Sequence, residues 1–382
     1  MSTESPTRLW PLYAAGFVTA FGAHSIAASL GAYTRGEHAS LLTLGLLLAV
    51  YDGAEVILKP VFGSLADRVG ARPVVLGGLL AFSLASAAFV VAGNPAAVGL
   101  ARLGQGAAAA AFSPAAGALV ARLSPVKRQG RAFGGYGAWK SVGYTLGPLL
   151  GGALITVGGF PLLFGTLAAL AFVVAGCVTL GVPAVPPLPR SRQTVLDLAR
   201  RLASPGFLRP TCALAASTAA LAVGVGFLPV TGAAAGLPLL VTGAAVSLLA
   251  LCSALVQPWA GRARDTGRLR DGWGMAGGLA LASAGMVVAA LVPGAVGVVA
   301  AAVTIGVGVG LTTPLGFAHL ATVTSPERLG RTMGAAEVGR EIGDAGGPLL
   351  VGAIAVTTLG TGFLGLAVVL AVAGLAVAGA RQ

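Results

Sequence analysis

Pro60-Val-Phe-Gly63-Ser-Leu-Ala-Asp67-Arg68-Val-Gly70-Ala-Arg72 separates two long apolar runs, and a shortened copy returns as Pro258-Trp-Ala-Gly261-Arg-Ala-Arg-Asp265-Thr-Gly267-Arg268. The repeat extends outward from this stretch. Ser124-Pro125 with Arg128, Gly130, Arg131 and Gly134 returns as Ser325-Pro326 with Arg328, Gly330, Arg331 and Gly334. Gly143, Gly147, Pro148 and Gly152 return as Gly343, Gly347, Pro348 and Gly352, so the spacing is close to 200 residues throughout. A chain that repeats its punctuation at this interval is built as two related halves.

The material between the repeats is apolar. Charged residues make up 9% of the 382 and hydrophobic ones 56%, whereas a soluble domain carries roughly 25% charge. A membrane-spanning helix needs about 20 apolar residues. Breaks at Gly, Pro and charge clusters leave twelve such runs: 10–34, 41–62, 73–93, 95–120, 132–157, 160–182, 211–231, 237–260, 272–293, 295–321, 333–357 and 361–380. The runs are continuous rather than alternating, which predicts helices and not a barrel. The expected fold is therefore an all-α membrane protein with 12 transmembrane helices in two pseudo-symmetric six-helix bundles. Residues 1–182 form the first half, 183–210 a cytoplasmic linker with an amphipathic basic helix at Val195 to Leu202, and 211–382 the second half.

The net charge of +12 does not predict a nucleic-acid partner, because the basic residues sit in short clusters between apolar runs. They fix topology instead. With both termini inside, the cytoplasmic segments hold Arg8, Lys59, Arg68, Arg72, Arg122, Lys127, Arg128 and Arg131 in the first half. Arg190, Arg192, Arg200, Arg201, Arg209, Arg262, Arg264, Arg268, Arg270, Arg328, Arg331 and Arg381 follow, and only Arg35 falls outside. The N-terminal segment lacks the pattern of a cleavable signal. A multi-pass protein of the plasma (inner) membrane is expected. Cys177, Cys212 and Cys252 lie in apolar runs without ligand spacing, so neither metal nor cofactor is expected.

These stretches resemble the major facilitator superfamily over nearly the whole chain. Gly63 to Arg72 is similar to that family's loop signature, motif A, with Asp265 in its second copy. Arg102-Leu-Gly-Gln105-Gly106 is similar to motif B, and Gly143, Gly147, Pro148, Gly151 and Gly152 are similar to antiporter motif C. The resemblance implies a major facilitator fold and a gating role for Asp67, facing a helix N-terminus of the other half. Gly63 and Gly70 would form a tight turn, and Arg68 and Arg72 would anchor to lipid phosphate or a nearby carboxylate. Motif C implies a helix bend at Pro148 and an export direction.

Ionisable groups at bilayer depth cost at least about 2.5 kcal/mol each and mark function by default. Asp52 and Glu55 share a face of the second run at i, i+3, an arrangement that suits proton carriage. Glu337, Glu341 and Asp344 form an i, i+4, i+7 stripe beside Arg340. Glu341 and Asp344 are the deeper pair, while Glu337 lies nearer the cytoplasmic loops. Lys140 and Arg340, 200 residues apart, are expected as charge partners or substrate contacts, and Gln105 as a further contact. His24 in the first run and Arg102 in the fourth complete the candidate proton path, where the family's drug exporters often carry an acid in place of His24. Each also has a structural reading: salt bridges for Asp52 and Glu55, an ion pair fixing the helix for Arg102, and a hydrogen-bonded histidine for His24.

The expected function is secondary active transport, foremost proton-coupled export of small lipophilic compounds by alternating access. The alternative is a proton-coupled transporter of a specific polar or anionic metabolite. The partners would be the substrate, protons and the lipid bilayer, with no nucleic acid, in a monomer. No G-x-S-x-G or H-E-x-x-H is present, so no enzyme is expected.

Overall fold

The computed structural model describes residues 9–36, 41–92, 94–187, 203–355 and 358–379. The predicted amphipathic helix at Val195 to Leu202 lies outside the described residues. So do Arg8, Arg190, Arg192, Arg200, Arg201 and Arg381.

Among the described residues the structure is helical. The α-helices are α1 (Trp10–Gly36), α2 (Leu41–Val69), α3 (Ala71–Val90), α4 (Pro95–Leu123) and α5 (Gln129–Gly181). They continue as α6 (Pro205–Ala234), α7 (Leu239–Asp265), α8 (Asp271–Leu291), α9 (Gly294–Val323), α10 (Leu329–Ile354) and α11 (Leu359–Ala378). Two 3-10 turns, Val126–Arg128 and Pro326–Arg328, precede α5 and α10. The predicted fifth and sixth spans share α5, which leaves helical geometry at Gly158 (φ −143°) and Gly159 (φ 69°). Among the described residues, eight helical stretches are long and apolar enough to cross a membrane.

Local signals explain the helix ends. Asn94 accepts from the Ala97 N–H at 2.9 Å with Pro95 behind it, and the Thr358 hydroxyl accepts from the Thr361 N–H at 3.3 Å. Such caps satisfy donors that the first helical turn leaves without partners.

Two differences from the sequence reading matter for the site. The stretch from Pro60 to Asp67 is helical rather than a loop, and the turn is compressed to Gly70 at φ 96°. In the second copy α7 runs through Asp265, and Gly267 turns at φ 72°. A single residue with positive φ, which glycine adopts without steric cost, reverses the chain there.

The chain forms two compact units that exchange short segments. The first contains Met1–Pro125, Trp139–Arg190 and Thr324–Val338, and the second Val126–Ala138, Ser191–Val323 and Gly339–Gln382. In the first, α4 is central, packed by α1, α2 and α3. A Cβ on Gly78 of α3 would press on the Phe112 backbone at 2.9 Å, and Phe82 meets Phe112 edge to face at 6.2 Å. In the second, α9 takes the central place among α6, α7 and α8, and Gly278 abuts Gly308 and Thr312. Gly78 and Gly278 stand 200 residues apart. Small residues at both crossings let helix backbones approach where lipid gives no hydrophobic drive between helices.

Candidate functional site

Each unit carries an aspartate that closes a helix N-terminus far away in sequence. In the first, the backbone N–H groups of Gly330 and Arg331 donate to Asp67 Oδ1 and Oδ2 at 2.7 and 2.9 Å. In the second, those of Gly130 and Arg131 donate to Asp265 at 2.9 and 2.8 Å. A carboxylate at this position meets unsatisfied donors and the positive end of the helix dipole. Gly63 and Gly261 do not turn the chain. They are helical, and a Cβ on either would collide with the carbonyl oxygen of Gly330 or Gly130. The remaining basic residues of the motif separate. Arg72 donates to the Thr179 carbonyl rather than meeting a carboxylate, and Arg68 is exposed. Glu327, on the turn before α10, is held below the usual carboxylate range by a backbone N–H bond and Ser325.

A cluster of four charges lies buried in the first unit. Lys59 Nζ is 2.6 Å from Glu55 Oε2 and 3.9 Å from Glu337 Oε2, and Lys140 Nζ is 3.8 Å from Glu337 Oε1. Their exposures are only 2% for Lys59, 6% for Glu55, 3% for Glu337 and 8% for Lys140. Two of these residues depart from the sequence reading. Lys59 is buried in this cluster rather than exposed in a loop, and Glu337 is ion-paired with both lysines. Asp52 is exposed, so it and Glu55 have different surroundings although they share a helix. Glu341 is half-buried and Asp344 exposed.

Arg102 is 2% exposed and stacks over the Tyr51 ring at 4.3 Å. One helical turn on, Gln105 donates to the Ser86 hydroxyl at 2.8 Å. His24 Nδ1 is 3.2 Å from the Ala20 carbonyl, and its ring lies 4.4 Å from that of Tyr144. The motif C glycines bring α5 onto α1: Gly143 meets the Phe17 and Phe21 backbone, Gly147 meets His24, and Gly151 meets Ser25. Gly152 has no heavy atom within 4 Å of a would-be Cβ. Pro148 lies within the same helix.

The second unit repeats this packing with different chemistry. Gly343 meets Ala215 and Gly347 meets Ala219, so α10 lies on α6. Arg340, the counterpart of Lys140, donates to the Thr218 hydroxyl at 3.3 Å and faces the Phe317 ring at 5.8 Å. Beside Asp265, Arg264 pairs with Asp271 at 2.7 Å and His319 Nδ1 lies 3.0 Å from the same carboxylate. Sequence reasoning passed over Asp271, whose position at the start of a span after Arg264 was the available signal.

The family model for the Major Facilitator Superfamily matches residues 12–348. The chain is 34% identical over 134 residues to the quinolone resistance protein NorA of Staphylococcus aureus, covering 35% of this chain and 34% of that protein. It is 30% identical over 155 residues to multidrug resistance protein 2 of Bacillus subtilis, covering 40% and 39%. These matches span about a third of the length of the curated relatives. Among solved structures, the fucose:proton symporter FucP in the outward conformation aligns at TM-score 0.81 and 15% identity, covering 97% of both chains. The human organic anion transporter MFSD10 aligns at 0.81 and 17%, covering 98% of this chain and 100% of that one. At these identities the structures share the fold.

Proposed function

This chain belongs to the Major Facilitator Superfamily, and from that premise we propose that it exports small lipophilic compounds in exchange for protons. The observation that carries the reading is the α1–α5 contact, built from Gly143, Gly147 and Gly151, the positions that resemble the antiporter motif. The resistance proteins it resembles over a third of their length support the same substrate class. Its setting would be the plasma membrane, crossed by twelve spans with both termini cytoplasmic. The break at Gly158–Gly159 supports dividing α5 into two of those spans.

In this reading a compound enters from the cytoplasm or inner leaflet, and the two halves rock to release it outside. Protons then reset the cycle. Asp67 and Asp265 close the cytoplasmic side by holding the two helix N-termini. Glu55, with Arg102 and His24, serves proton movement, and Asp52, Glu341 and Asp344 are further carriers on the same helices. An apolar cavity would bind by loose contacts rather than strict hydrogen-bond readout.

A second reading is transport of a specific polar or anionic metabolite. Lys140 and Arg102, both buried in the first unit, favour it as ligands for an anion. Efflux of a dye panel of cations, neutrals and anions, with and without uncoupler, tests both. Uncoupler-sensitive efflux of several lipophilic dyes supports the exporter. Movement of anions alone supports the second reading, and uncoupler-insensitive efflux removes proton exchange.

A further inference from the structure

The aspartate cap of the second unit stands beside a charge cluster. Arg264 Nε and Nη2 donate to the two carboxylate oxygens of Asp271 at 2.7 and 3.2 Å, and Nη2 reaches the Ala318 carbonyl at 3.4 Å. His319 Nδ1 lies 3.0 Å from Asp271 Oδ2. An ionised carboxylate only accepts, so that nitrogen carries the hydrogen. These bonds tie the end of α7 to the start of α8 and the end of α9. Asp265, which follows Arg264, accepts the Gly130 and Arg131 N–H groups, and Arg264 Nη1 is 3.8 Å from it. A Cβ on Gly130 would meet Arg264 Cδ at 2.9 Å. Arg264 therefore joins the cap to the cluster.

The repeat shows that the fold does not require this chemistry. Ala66 precedes Asp67 as Arg264 precedes Asp265, and Ala71 opens α3 as Asp271 opens α8. Leu119 follows Pro114 at the interval by which His319 follows Pro314. The three positions of the first half are thus apolar, and all are buried. In the second half, two carboxylates share one guanidinium, and a proton on His319 balances their charge. His319 is also the member that water reaches most, with its side chain 24% exposed against 13% for Asp271 and 12% for Arg264.

We propose that Asp271 and His319 are positioning residues for the Asp265 cap, acting through Arg264, and that protonation of His319 tightens the cap. This assignment rests on the transport reading given above, in which Asp265 closes the cytoplasmic side, and it adds control of that closure by internal pH. In the step, a proton from water adds to His319 Nε2, and the hydrogen bond from Nδ1 to Asp271 becomes an ion pair. The hold is fullest where the imidazole is charged and weakens as rising pH removes its proton. On the elements packed around His319, the charged groups are Arg262, Arg264 and Asp265 on α7, Asp271 on α8, and Arg209 near the start of α6. Arg268 and Arg270 lie in the turn between α7 and α8.

The test measures hydrogen exchange in the full chain in nanodiscs, corrected for the intrinsic pH dependence of exchange. The readout is protection of the Gly130 and Arg131 amides relative to the Gly330 and Arg331 amides of the same molecule. This ratio should fall roughly fivefold between about pH 5 and 8, the scale of a partly exposed ion pair. His319→Gln should flatten it at the alkaline level and His319→Lys near the acidic level. Asp271→Asn should lower it at every pH, and the two His319 variants keep the test open where that chain fails to fold. A purely structural role would lower the ratio in His319→Gln and leave its pH dependence intact, and that result overturns the assignment. So does an equal pH response at both amide pairs. A pH-dependent ratio in a chain that moves no dye refutes the transport reading and leaves the positioning role standing. Driven dye efflux with a flat ratio refutes the positioning role alone.

Discussion

Gly63 and Gly330 face each other so closely that a Cβ on either would run into the other's carbonyl oxygen. The same mutual contact joins Gly261 and Gly130. Both pairs sit beside an aspartate that accepts two N–H groups from the partner segment. The close backbone approach and the carboxylate cap are therefore one device, used twice.

Gly63→Val should force that approach apart. Loss of about 1.4 kcal/mol of closure is a tenfold change in equilibrium, so exchange at the Gly330 and Arg331 amides should quicken at least tenfold. Gly53→Ala on the same helix, with nothing within 4 Å of a would-be Cβ, should leave exchange unchanged.

Asp67→Ala removes two hydrogen bonds to a charged acceptor, each worth about 1.5–3 kcal/mol. Efflux by this variant should fall at least tenfold with membrane expression retained. Asp265→Ala should do the same if the second cap bears equally on the cycle, and normal efflux in that variant would confine gating to the first.

The α1–α5 contact predicts a contrast within one motif. Gly147→Leu must displace His24 and the Phe21 carbonyl, which lie 3.0 and 3.1 Å from a would-be Cβ. Efflux should collapse. Gly152→Ala meets nothing within 4 Å and should leave efflux within about twofold, because the new methyl adds no clash.

Lys59→Met leaves Glu55 and Glu337 buried with one cation fewer, a change that costs about 3–5 kcal/mol for a buried pair. The melting temperature in detergent should fall by several degrees. Adding Glu55→Gln should restore most of it, since the double variant removes both members of the 2.6 Å pair.

Arg102→Lys keeps the charge but loses the flat guanidinium over Tyr51, a contact worth about 0.5–2 kcal/mol. A lower melting temperature with folding retained is expected, and an unchanged one would show that the stacking at 4.3 Å contributes nothing.

Much of this is legible in the sequence. Asp67, Asp265, Gly143, Gly147 and Gly152 stand out in the internal repeat, and the resemblance to the family's motifs implies their roles and adds Gly151. The helical state of Pro60 to Asp67 was not legible, since proline and glycine there read as a turn. Packing overrode that local signal: the glycine is present for a neighbouring backbone, not for a bend. The burial of Lys59 was not legible for a related reason. A lysine at the end of an apolar run reads as cytoplasmic, and nothing in the linear pattern reveals two acids converging on it.

The sequence by itself determined the membrane character and the internal repeat, because composition and period are properties of the chain, and its motifs carried the resemblance to the superfamily. Only the tertiary structure decided which charges meet. It drew Glu337 to Lys59 and Lys140, gave Arg340 to Thr218 and Phe317, and separated the surroundings of Asp52 and Glu55. Charge pairing inside a membrane depends on distances of a few ångströms between helices remote in sequence, and no spacing along one helix can set those distances.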